Sequence, residues 1–494
     1  MWGRKAPAPP LPCPPLGAGP FVPWGGEVHP SRLGPHYALL AQNQGGKTLQ
    51  IRALAKACLL DQAGRLRHRV LCFAPKADWY AALIGAGIPR DQIIIATPFD
   101  ARCRPWDLAQ DVRTRAKARQ LAAVLIPEAK ETNPYFTQVA RDVVAQAVDT
   151  LRLRGVKWTL SDVVTLCSSP KLLAALFEHA PPAAARRFAA HLQDNATETR
   201  ANLVSTLTTK LDRYETVGAL WSRSKEPFSL EDWATSDEPS VVVFGTYPEA
   251  ASELEHINRA VFRRAVELTL AKEDYPPGPR TWFLLDELRL LGKAPLLSDL
   301  LLAGRSKHAH VVAGFQDVHG IMAVHGREAA AELLGQFQNF FVGRLSSPET
   351  REWASKFFGS DEMWRLSSVQ STVDGRQRDV SSFDLRERQR FITSKFFDMR
   401  PPRRGWGLEG VWATPFEMPY YEHLSPAFMK RYVPEPSSDP GLVPRPREEQ
   451  DPPELSEDLC TLLDSAPGTC FKEVQPPLVE RRGFEPSLPL LDLG

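Results

Sequence analysis

A phosphate-binding loop is the first candidate for chemistry in this sequence. Residues 41–48 read Ala-Gln-Asn-Gln-Gly-Gly-Lys-Thr and match the pattern G-x-x-x-x-G-K-[ST], with Ala41 in place of the first glycine. In such a loop Lys47 reaches the outer phosphates of a nucleotide and the Thr48 hydroxyl ligates Mg²⁺. The loop residues whose backbone N–H groups face the phosphates are Gln44, Gly45 and Gly46. The pattern predicts binding of ATP with Mg²⁺, although a Gly-Lys-Thr triplet alone also occurs where no nucleotide binds.

Two adjacent carboxylates far downstream are the second candidate. Asp286 and Glu287 follow the apolar run Thr281–Leu285, which is typical of a buried parallel strand whose carboxyl end faces a ligand crevice. There Asp286 would hold a Mg²⁺-bound water, and Glu287 would orient and polarise the attacking water. A solvated Asp-Glu pair at a strand end is common, so the prediction of an ATP-hydrolysing core depends on both sites together.

Apolar runs around these residues predict an α/β fold with a mainly parallel central sheet. The run Tyr37–Leu40 predicts a strand before the loop, and the helical spacing after Lys47 predicts a helix. Further strands are predicted at residues 69–73, 92–96, 240–245, 310–315 and 339–344. Strand patterns are absent from about Val112 to Trp221, where helical stretches, one of them at 183–192, predict an inserted all-α domain.

Three polar residues near predicted strand ends are weaker candidates. Gln316 ends a predicted strand, where a glutamine can sense the γ-phosphate of a bound nucleotide; it can equally be an ordinary surface residue. Arg305 stands at a turn and could serve the nucleotide of its own subunit or reach that of a neighbour as an arginine finger. Arg344 is a similar candidate.

Composition limits the possible classes of protein. A length of 494 residues predicts roughly three domains. The net charge of +1 gives no global basic field, so any DNA contact must come from local patches or from a ring of subunits. Seven scattered cysteines indicate reduced thiols instead of a disulfide framework or a zinc site. No window is long and apolar enough for a transmembrane helix, and no signal peptide is recognisable, so we expect a soluble protein.

Both ends of the chain are rich in proline. Residues 1–35 predict a flexible Pro/Gly-rich arm, part of which could lie against the core, and residues 431–494 predict an acidic disordered tail. Between them, residues 36–111 and 226–430 form the expected nucleotide-binding domain, and residues 112–225 form the all-α domain. Within that core, residues 369–390 are polar and predict a long loop.

Four segments carry a family resemblance. They read APKAD at 74–78, PFDARCRPWDL at 98–108, NPYFTQVARDVV at 133–144, and LLDELRLLGKAPLLSDLLLAGRSKHAHVVAGFQDV at 284–318. Their order resembles the coupling-protein ATPases of type IV secretion and conjugation systems. In that family the carboxylate strand continues into a Gly-Lys segment, a Gly-Arg turn and a strand that ends in Gln. Those features are matched here by Gly292-Lys293, Gly304-Arg305 and Gln316, within a likeness that covers about 33–426.

The resemblance implies a RecA-like P-loop ATPase with an inserted all-α domain, assembled as a homo-hexamer. Such a motor recruits single- or double-stranded DNA with a relaxase, or another nucleoprotein substrate, and drives it toward secretion-channel components using ATP and Mg²⁺. The family usually begins with membrane-spanning helices, and this chain has a proline-rich arm there. We therefore expect a cytoplasmic protein, or one held peripherally at the inner membrane through a partner.

Two other departures concern the nucleotide. Ala41 is compatible with the loop if its backbone stays at negative φ, and Ala74 stands where the family tends to have an acidic residue. Two other functions stay open: a related RecA-like DNA motor for chromosome processing, and an ATP-binding scaffold that does not hydrolyse.

Overall fold

The computed structural model describes most of the chain. Described are residues 21–76, 78–127, 134–182, 197–247, 250–294, 296–373, 376–446, 449 and 454–465. The predictions for 1–20, for the helix at 183–192 and for 466–494 lie outside these residues.

A nine-stranded sheet forms the centre of the molecule, in the order β13-β12-β9-β3-β8-β7-β4-β6-β5. Its strands are β3 (His36–Leu40), β4 (Arg69–Ala74), β5 (Ile93–Ile95), β6 (Val241–Gly245), β7 (Thr281–Leu285), β8 (Ala309–Phe315), β9 (Asn339–Val342), β12 (Leu408–Thr414) and β13 (Glu417–Leu424). The seven strands from β9 to β5 pair in parallel, whereas β12 and β13 add an antiparallel edge. The predicted mainly parallel sheet is confirmed.

Helices cover both faces of this sheet, which explains why its central strands are apolar on both sides. One face packs on α1 (Lys47–Leu59) and α2 (Trp79–Gly85), through side chains such as Ile51 and Leu83. The other face packs on the helices that follow β6, β7, β8 and β9, and Phe262 and Leu300 are buried there. Those helices are α11 (Ala251–Leu270), α12 (Leu297–Ala303), α13 (Val318–His325), α14 (Arg327–Gly335) and α15 (Pro348–Phe357).

An all-α insertion joins β5 to β6, as predicted. Its helices are α3 (Leu108–Asp111), α4 (Arg115–Leu125), α5 (Tyr135–Arg154), α6 (Leu160–Ser168), α7 (Pro170–Glu178), α8 (Thr197–Leu211), α9 (Glu215–Ser222) and α10 (Leu230–Thr235). Buried apolar residues hold the helices together, and the Tyr214 hydroxyl donates to the Leu125 carbonyl at 2.8 Å. Thr159 and Asp162 form a capping box that fixes the start of α6.

Within the described ranges no single helix is long and apolar enough to cross a membrane. Helices α6 and α7 reach the length and apolar composition of a membrane-spanning helix only when they are taken together, and they meet at a bend of 108°.

The described part of the predicted arm lies against the core. Two short strands, β1 (Val22–Pro23) and β2 (Glu27–Val28), pair with each other beside α1. Trp24 is fully buried, and its indole N–H donates to the Ala413 carbonyl at 3.1 Å. Gln50 on α1 donates to the Pro23 carbonyl at 2.6 Å. This part of the arm therefore lies against the core, which is the alternative that the sequence left open for it.

A two-stranded ribbon replaces the predicted loop at 369–390. Strand β10 (Ser360–Val373) pairs antiparallel with β11 (Arg376–Gln389) along its whole length. The loop prediction was wrong because the ribbon forms no layer of the central sheet, so its sequence lacks the apolar run or alternation that marks a strand.

The chain after β13 also follows a defined path along the protein surface. Beyond α16 (Thr393–Asp398) and α17 (Pro426–Tyr432), residues 433–446 and 454–465 form what we call the C-terminal strap. Its first half contacts the sheet domain: Ser437 N donates to the Ala81 carbonyl at 2.9 Å, and Asp439 pairs with Arg90 at 2.9 Å. The predicted disordered tail is wrong for these residues, because long-range contacts hold them.

The second half of the strap contacts the helical insertion. The Arg445 side chain is 5% exposed and donates to the carbonyls of Asp100 at 3.2 Å and Leu220 at 3.0 Å. The strap ends in α18 (Glu457–Asp464), where Leu459 is buried against α7. Ser456 N, just before α18, donates to Asp162 Oδ1 at 2.9 Å. The strap therefore ties the sheet domain to the insertion.

Candidate nucleotide-binding site

The phosphate-binding loop lies at the carboxyl edge of the sheet, between β3 and α1. Ala41 N donates to the Phe315 carbonyl at 3.2 Å, and Gln42 N donates to the Arg344 carbonyl at 2.9 Å. The ends of β8 and β9 therefore hold the loop on both sides. Ala41 does not have a positive φ, so its methyl group is tolerated as predicted, whereas Gln44 adopts φ 61°.

The first turn of α1 presents free backbone donors. Gly46 at the N-cap has φ 95°, and no side chain caps the helix. A Cβ atom at Gly46 would overlap Leu408. Because the first N–H groups of a helix have no partners within it, and the helix dipole is positive at this end, the turn is suited to phosphate oxygens.

Lys47 and Glu287 meet in a buried ion pair between Lys47 Nζ and Glu287 Oε2. The two residues are 8% and 7% exposed. Gly314 on β8 makes this approach possible, because a Cβ atom there would lie 2.9 Å from Lys47 Cδ and would overlap the Asp286 carbonyl oxygen. The two distant sequence motifs therefore form one site.

Asp286 is held by two donors from different elements. Thr48 Oγ1 donates to Asp286 Oδ1 at 3.0 Å, and Trp79 Nε1 donates to Asp286 Oδ2 at 3.1 Å. Asp286 is 3% exposed, and its charge together with burial raises the pKa of the neighbouring Cys72 thiol, burial being the larger cause. The carboxylate is thus oriented at both oxygens.

Trp79 was missed by sequence reasoning. It is the first residue of α2 and is 1% exposed, and the Arg52 guanidinium lies 5.6 Å from its ring centroid. Arg52 also pairs with Asp78 at 2.6 Å. The helical pattern at 79–85 identified a buried face, but no spacing in the sequence indicates that this indole reaches a carboxylate 207 residues away.

The residues present fit ATP and Mg²⁺. The uncapped helix start and the Lys47 ammonium match a polyphosphate, and the Thr48 hydroxyl with the Asp286 carboxylate matches the oxygen ligands that Mg²⁺ prefers.

The three weaker candidates lie at different distances from the phosphate-binding loop. Gln316 is exposed directly after β8, beside the phosphate-binding loop. Arg305 is exposed before β8, at the amino edge of the sheet, and the seven residues of β8 put it about 23 Å from the site. The alternative that Arg305 serves its own subunit's nucleotide is therefore wrong. Arg344 lies next to the loop, because its carbonyl accepts from Gln42 N.

Comparison with known proteins places this geometry in a family. Coupling protein TraD of Escherichia coli (strain K12) is 25% identical over 307 residues, which are 60% of this chain and 41% of TraD. The chain therefore spans about two-fifths of the length of that curated relative.

Solved structures share the fold at low identity. The unbound bacterial conjugative coupling protein TrwBdeltaN70 superposes with a TM-score of 0.65 at 18% identity, over 86% of this chain and 92% of that chain. The plasmid coupling protein TrwB in complex with ADP and Mg²⁺ gives 0.64 at 18% identity, over 87% and 93%. The profile of the type IV secretion-system coupling protein DNA-binding domain matches residues 31–396. Because this profile covers well over half of the sequence, the chain belongs to the type IV secretion-system coupling protein family.

Proposed function

We propose that this protein binds and hydrolyses ATP with Mg²⁺ and uses the energy to move DNA or a nucleoprotein substrate into a type IV secretion or conjugation channel. The observation that carries the proposal is the convergence of Lys47 with Glu287 and of Thr48 with Asp286 at the start of α1. A relative, TrwB, has been solved with ADP and Mg²⁺, and this supports the nucleotide assignment.

The first step is an exchange of partners at Lys47. In the structure, Glu287 neutralises the Lys47 ammonium. A triphosphate carries more negative charge and enters where the free N–H groups of α1 point, so Lys47 turns from Glu287 to the outer phosphates. The Glu287 carboxylate then lacks a cation and can accept a proton from the attacking water.

Asp286 and Thr48 hold the metal in this proposal. When bound, Mg²⁺ neutralises phosphate oxygens and supplies charge stabilisation to the transferring group. Trp79 and Thr48 fix the Asp286 carboxylate beforehand, so its oxygens need little reorganisation when the metal arrives.

In this proposal, residues at the two edges of the sheet couple ATP hydrolysis to movement of the substrate. Gln316 stands beside the loop and would report the γ-phosphate to the rest of the molecule. Arg305 lies at the opposite edge and would act as an arginine finger only on a neighbouring subunit's nucleotide, which requires an assembly such as a homo-hexamer. The expected partners are single- or double-stranded DNA, a relaxase, and channel components.

The test is ATP turnover with and without DNA, for the wild type and Lys47→Ala, with the oligomeric state measured in the same buffer. We expect DNA to stimulate turnover in the wild type, and we expect Lys47→Ala to abolish both turnover and nucleotide binding. Lys56→Ala is the matched control on the same helix, since the Lys56 ammonium donates to the Arg431 carbonyl at 3.3 Å, away from the site, and it should behave as the wild type. ATP turnover that DNA does not stimulate would contradict a translocase. The absence of any turnover would favour the alternative of an ATP-binding scaffold that does not hydrolyse.

A further inference from the structure

Six cations form one surface beside the nucleotide site, on the side of β9, β12 and β13. We call it the basic–aromatic surface. Its cations are Arg344, Arg351, Lys395, Arg400, Arg403 and Arg404. The last three are exposed in and before the turn that leads into β12. The turn was noted in the sequence only as a basic segment, and the proposed ATPase site does not use it.

Aromatic rings, and not carboxylates, support four of these cations. The guanidinium carbons of Arg344 and Arg351 lie 5.6 Å and 4.9 Å from the centroid of Phe397, which is 45% exposed. Lys395 Nζ lies 3.4 Å from the ring centroid of Tyr421. A ring face orients a cation without cancelling its charge, so the charge remains available to an anion.

The surface consists of two clusters that meet at α16. Phe397 and Lys395 both belong to α16, and Tyr421 belongs to β13. Trp406 Nε1 donates to Glu409 Oε1 at 3.0 Å. The Arg400 guanidinium lies 4.1 Å from the ring centroid of Trp406. The surface therefore extends from Arg344, at the phosphate-binding loop, to the turn at 403–407.

Charge on this surface is not balanced by the described part of the chain. Among the described residues, none of the six cations forms an ion pair, and the buried Nε atoms of Arg344 and Arg351 have no acceptor. Glu409 is 8% exposed, and its two oxygens accept from Trp406 Nε1 and from Arg400 N. The charges of the exposed cations therefore remain available to an external anion.

We propose that the basic–aromatic surface binds the phosphodiester chain of single-stranded nucleic acid. Cations spread along a surface fit a chain of phosphates better than one compact anion, and the exposed ring of Phe397 between two arginines offers a stacking face for a base. The proposal deepens the proposed function by naming where the DNA is bound. Because the Arg344 carbonyl accepts from Gln42 N, the bound strand contacts the residue that holds the phosphate-binding loop.

The experiment compares two triple variants of the full chain. In Arg400→Ala/Arg403→Ala/Arg404→Ala, three exposed cations of the surface are removed. In the matched control Arg65→Ala/Arg67→Ala/Arg280→Ala, the same charge is removed from exposed residues that precede β4 and β7, at the opposite edge of the sheet. Binding of a fluorescent thymidine oligonucleotide is followed by anisotropy over a series of salt concentrations. Binding of a fluorescent ATP analogue shows that each variant is folded.

The surface variant should bind the oligonucleotide at least about tenfold more weakly than the wild type at 100 mM salt, and its slope of log affinity against log salt should fall by about two. Phe397→Ala should weaken binding without changing the slope, and the control triple should bind as the wild type. An unchanged affinity and slope in the surface variant would overturn the proposal. Retained DNA binding with reduced ATP turnover would also overturn it, because the surface would then serve a nucleotide. A wild type that binds no DNA would instead contradict the proposed function itself.

Discussion

Lys47 and Glu287, 240 residues apart in the sequence, neutralise each other in a buried ion pair. Neither charge has another partner of opposite sign among the described residues. Removing one therefore leaves the other buried and unpaired, which in proteins costs several kcal/mol. The pair thus links the stability of the site to the two residues proposed for phosphate binding and for catalysis.

Replacement of Glu287 by glutamine separates these two roles. Glu287→Gln removes the carboxylate that accepts the proton, so turnover should fall at least about a hundredfold. It also releases Lys47 from its anionic partner, so affinity for a fluorescent ATP analogue should be retained or increased. Steady-state turnover and an analogue titration check both. Glu267→Gln, in an ion pair with Arg263 on α11, is the control, and a loss of analogue binding by Glu287→Gln would show that its role is structural.

Loss of the Trp79 indole N–H should weaken the metal site. Trp79→Phe keeps the ring beneath Arg52 but removes the indole donor to Asp286 Oδ2, which keeps only the longer hydrogen bond from Thr48 Oγ1 at 3.2 Å. Since groups that orient a metal ligand typically contribute about tenfold or more to metal affinity, the Mg²⁺ concentration for half-maximal turnover should rise about tenfold, with maximal turnover little changed. The control is Trp106→Phe, whose indole donates to Asp111 at 2.6 Å outside the site. Equal Mg²⁺ dependence of both variants would contradict a role for Trp79.

Gln44 is in the left-handed region, with φ 61°, where a residue with a side chain costs about 1 kcal/mol or more. Gln44→Gly removes that cost, partly offset by the greater freedom of glycine in the unfolded chain. We expect the free energy of unfolding to rise by about 0.5 kcal/mol, measured by urea denaturation. Gln42→Gly, at a residue without positive φ, should lower it. Lower stability in both variants would show that the left-handed loop is not strained.

His36 should make stability depend on pH. Burial lowers its pKa in the folded protein to about 4, from 6.5, and its Nδ1 accepts from Val311 N at 3.2 Å. The unfolded chain therefore binds a proton first as the pH falls, so this stabilisation is complete above pH 6.5 and is lost progressively between 6.5 and about 4, by up to about 3 kcal/mol.

His36→Asn tests this prediction, because the amide oxygen can accept from Val311 N and does not titrate. Urea midpoints measured between pH 7.5 and 4.5 should decline less steeply for this variant than for the wild type. The exposed His319 provides the control variant His319→Asn, which should follow the wild type. Parallel curves for all three proteins would contradict the assignment to His36.

The sheet and the centre of the site could be predicted because their signals are local. Buried parallel strands are nearly continuous apolar runs, and the strand from Thr281 to Leu285 was predicted with its observed bounds. Phosphate-binding loops depend on a fixed order of residues, so Lys47 and Thr48 were recognisable. The carboxylates followed from the strand, because parallel strands end at one edge of the sheet.

Other features depend on contacts that the sequence does not encode locally. The indole of Trp79 acts through one hydrogen bond to a distant residue, and Arg445 acts through carbonyls in two different parts of the fold. Polar, proline-rich composition predicted disorder for the strap, yet such contacts hold it. The position of Arg305 could have been predicted from the sequence, because a residue that precedes a parallel strand lies at the sheet edge opposite the ligand-binding edge.

The strap has a mechanical consequence for the helical insertion. The insertion is already connected to the sheet by two covalent crossings, after β5 and before β6. The strap adds a further connection, because the buried Leu459 and the hydrogen bond from Ser456 to Asp162 hold α18 on the insertion. This additional connection opposes hinge rotation of the insertion about the two crossings. Any swing of the insertion during an ATP cycle therefore has to detach α18 first, or has to move the insertion and the sheet edge as one rigid unit.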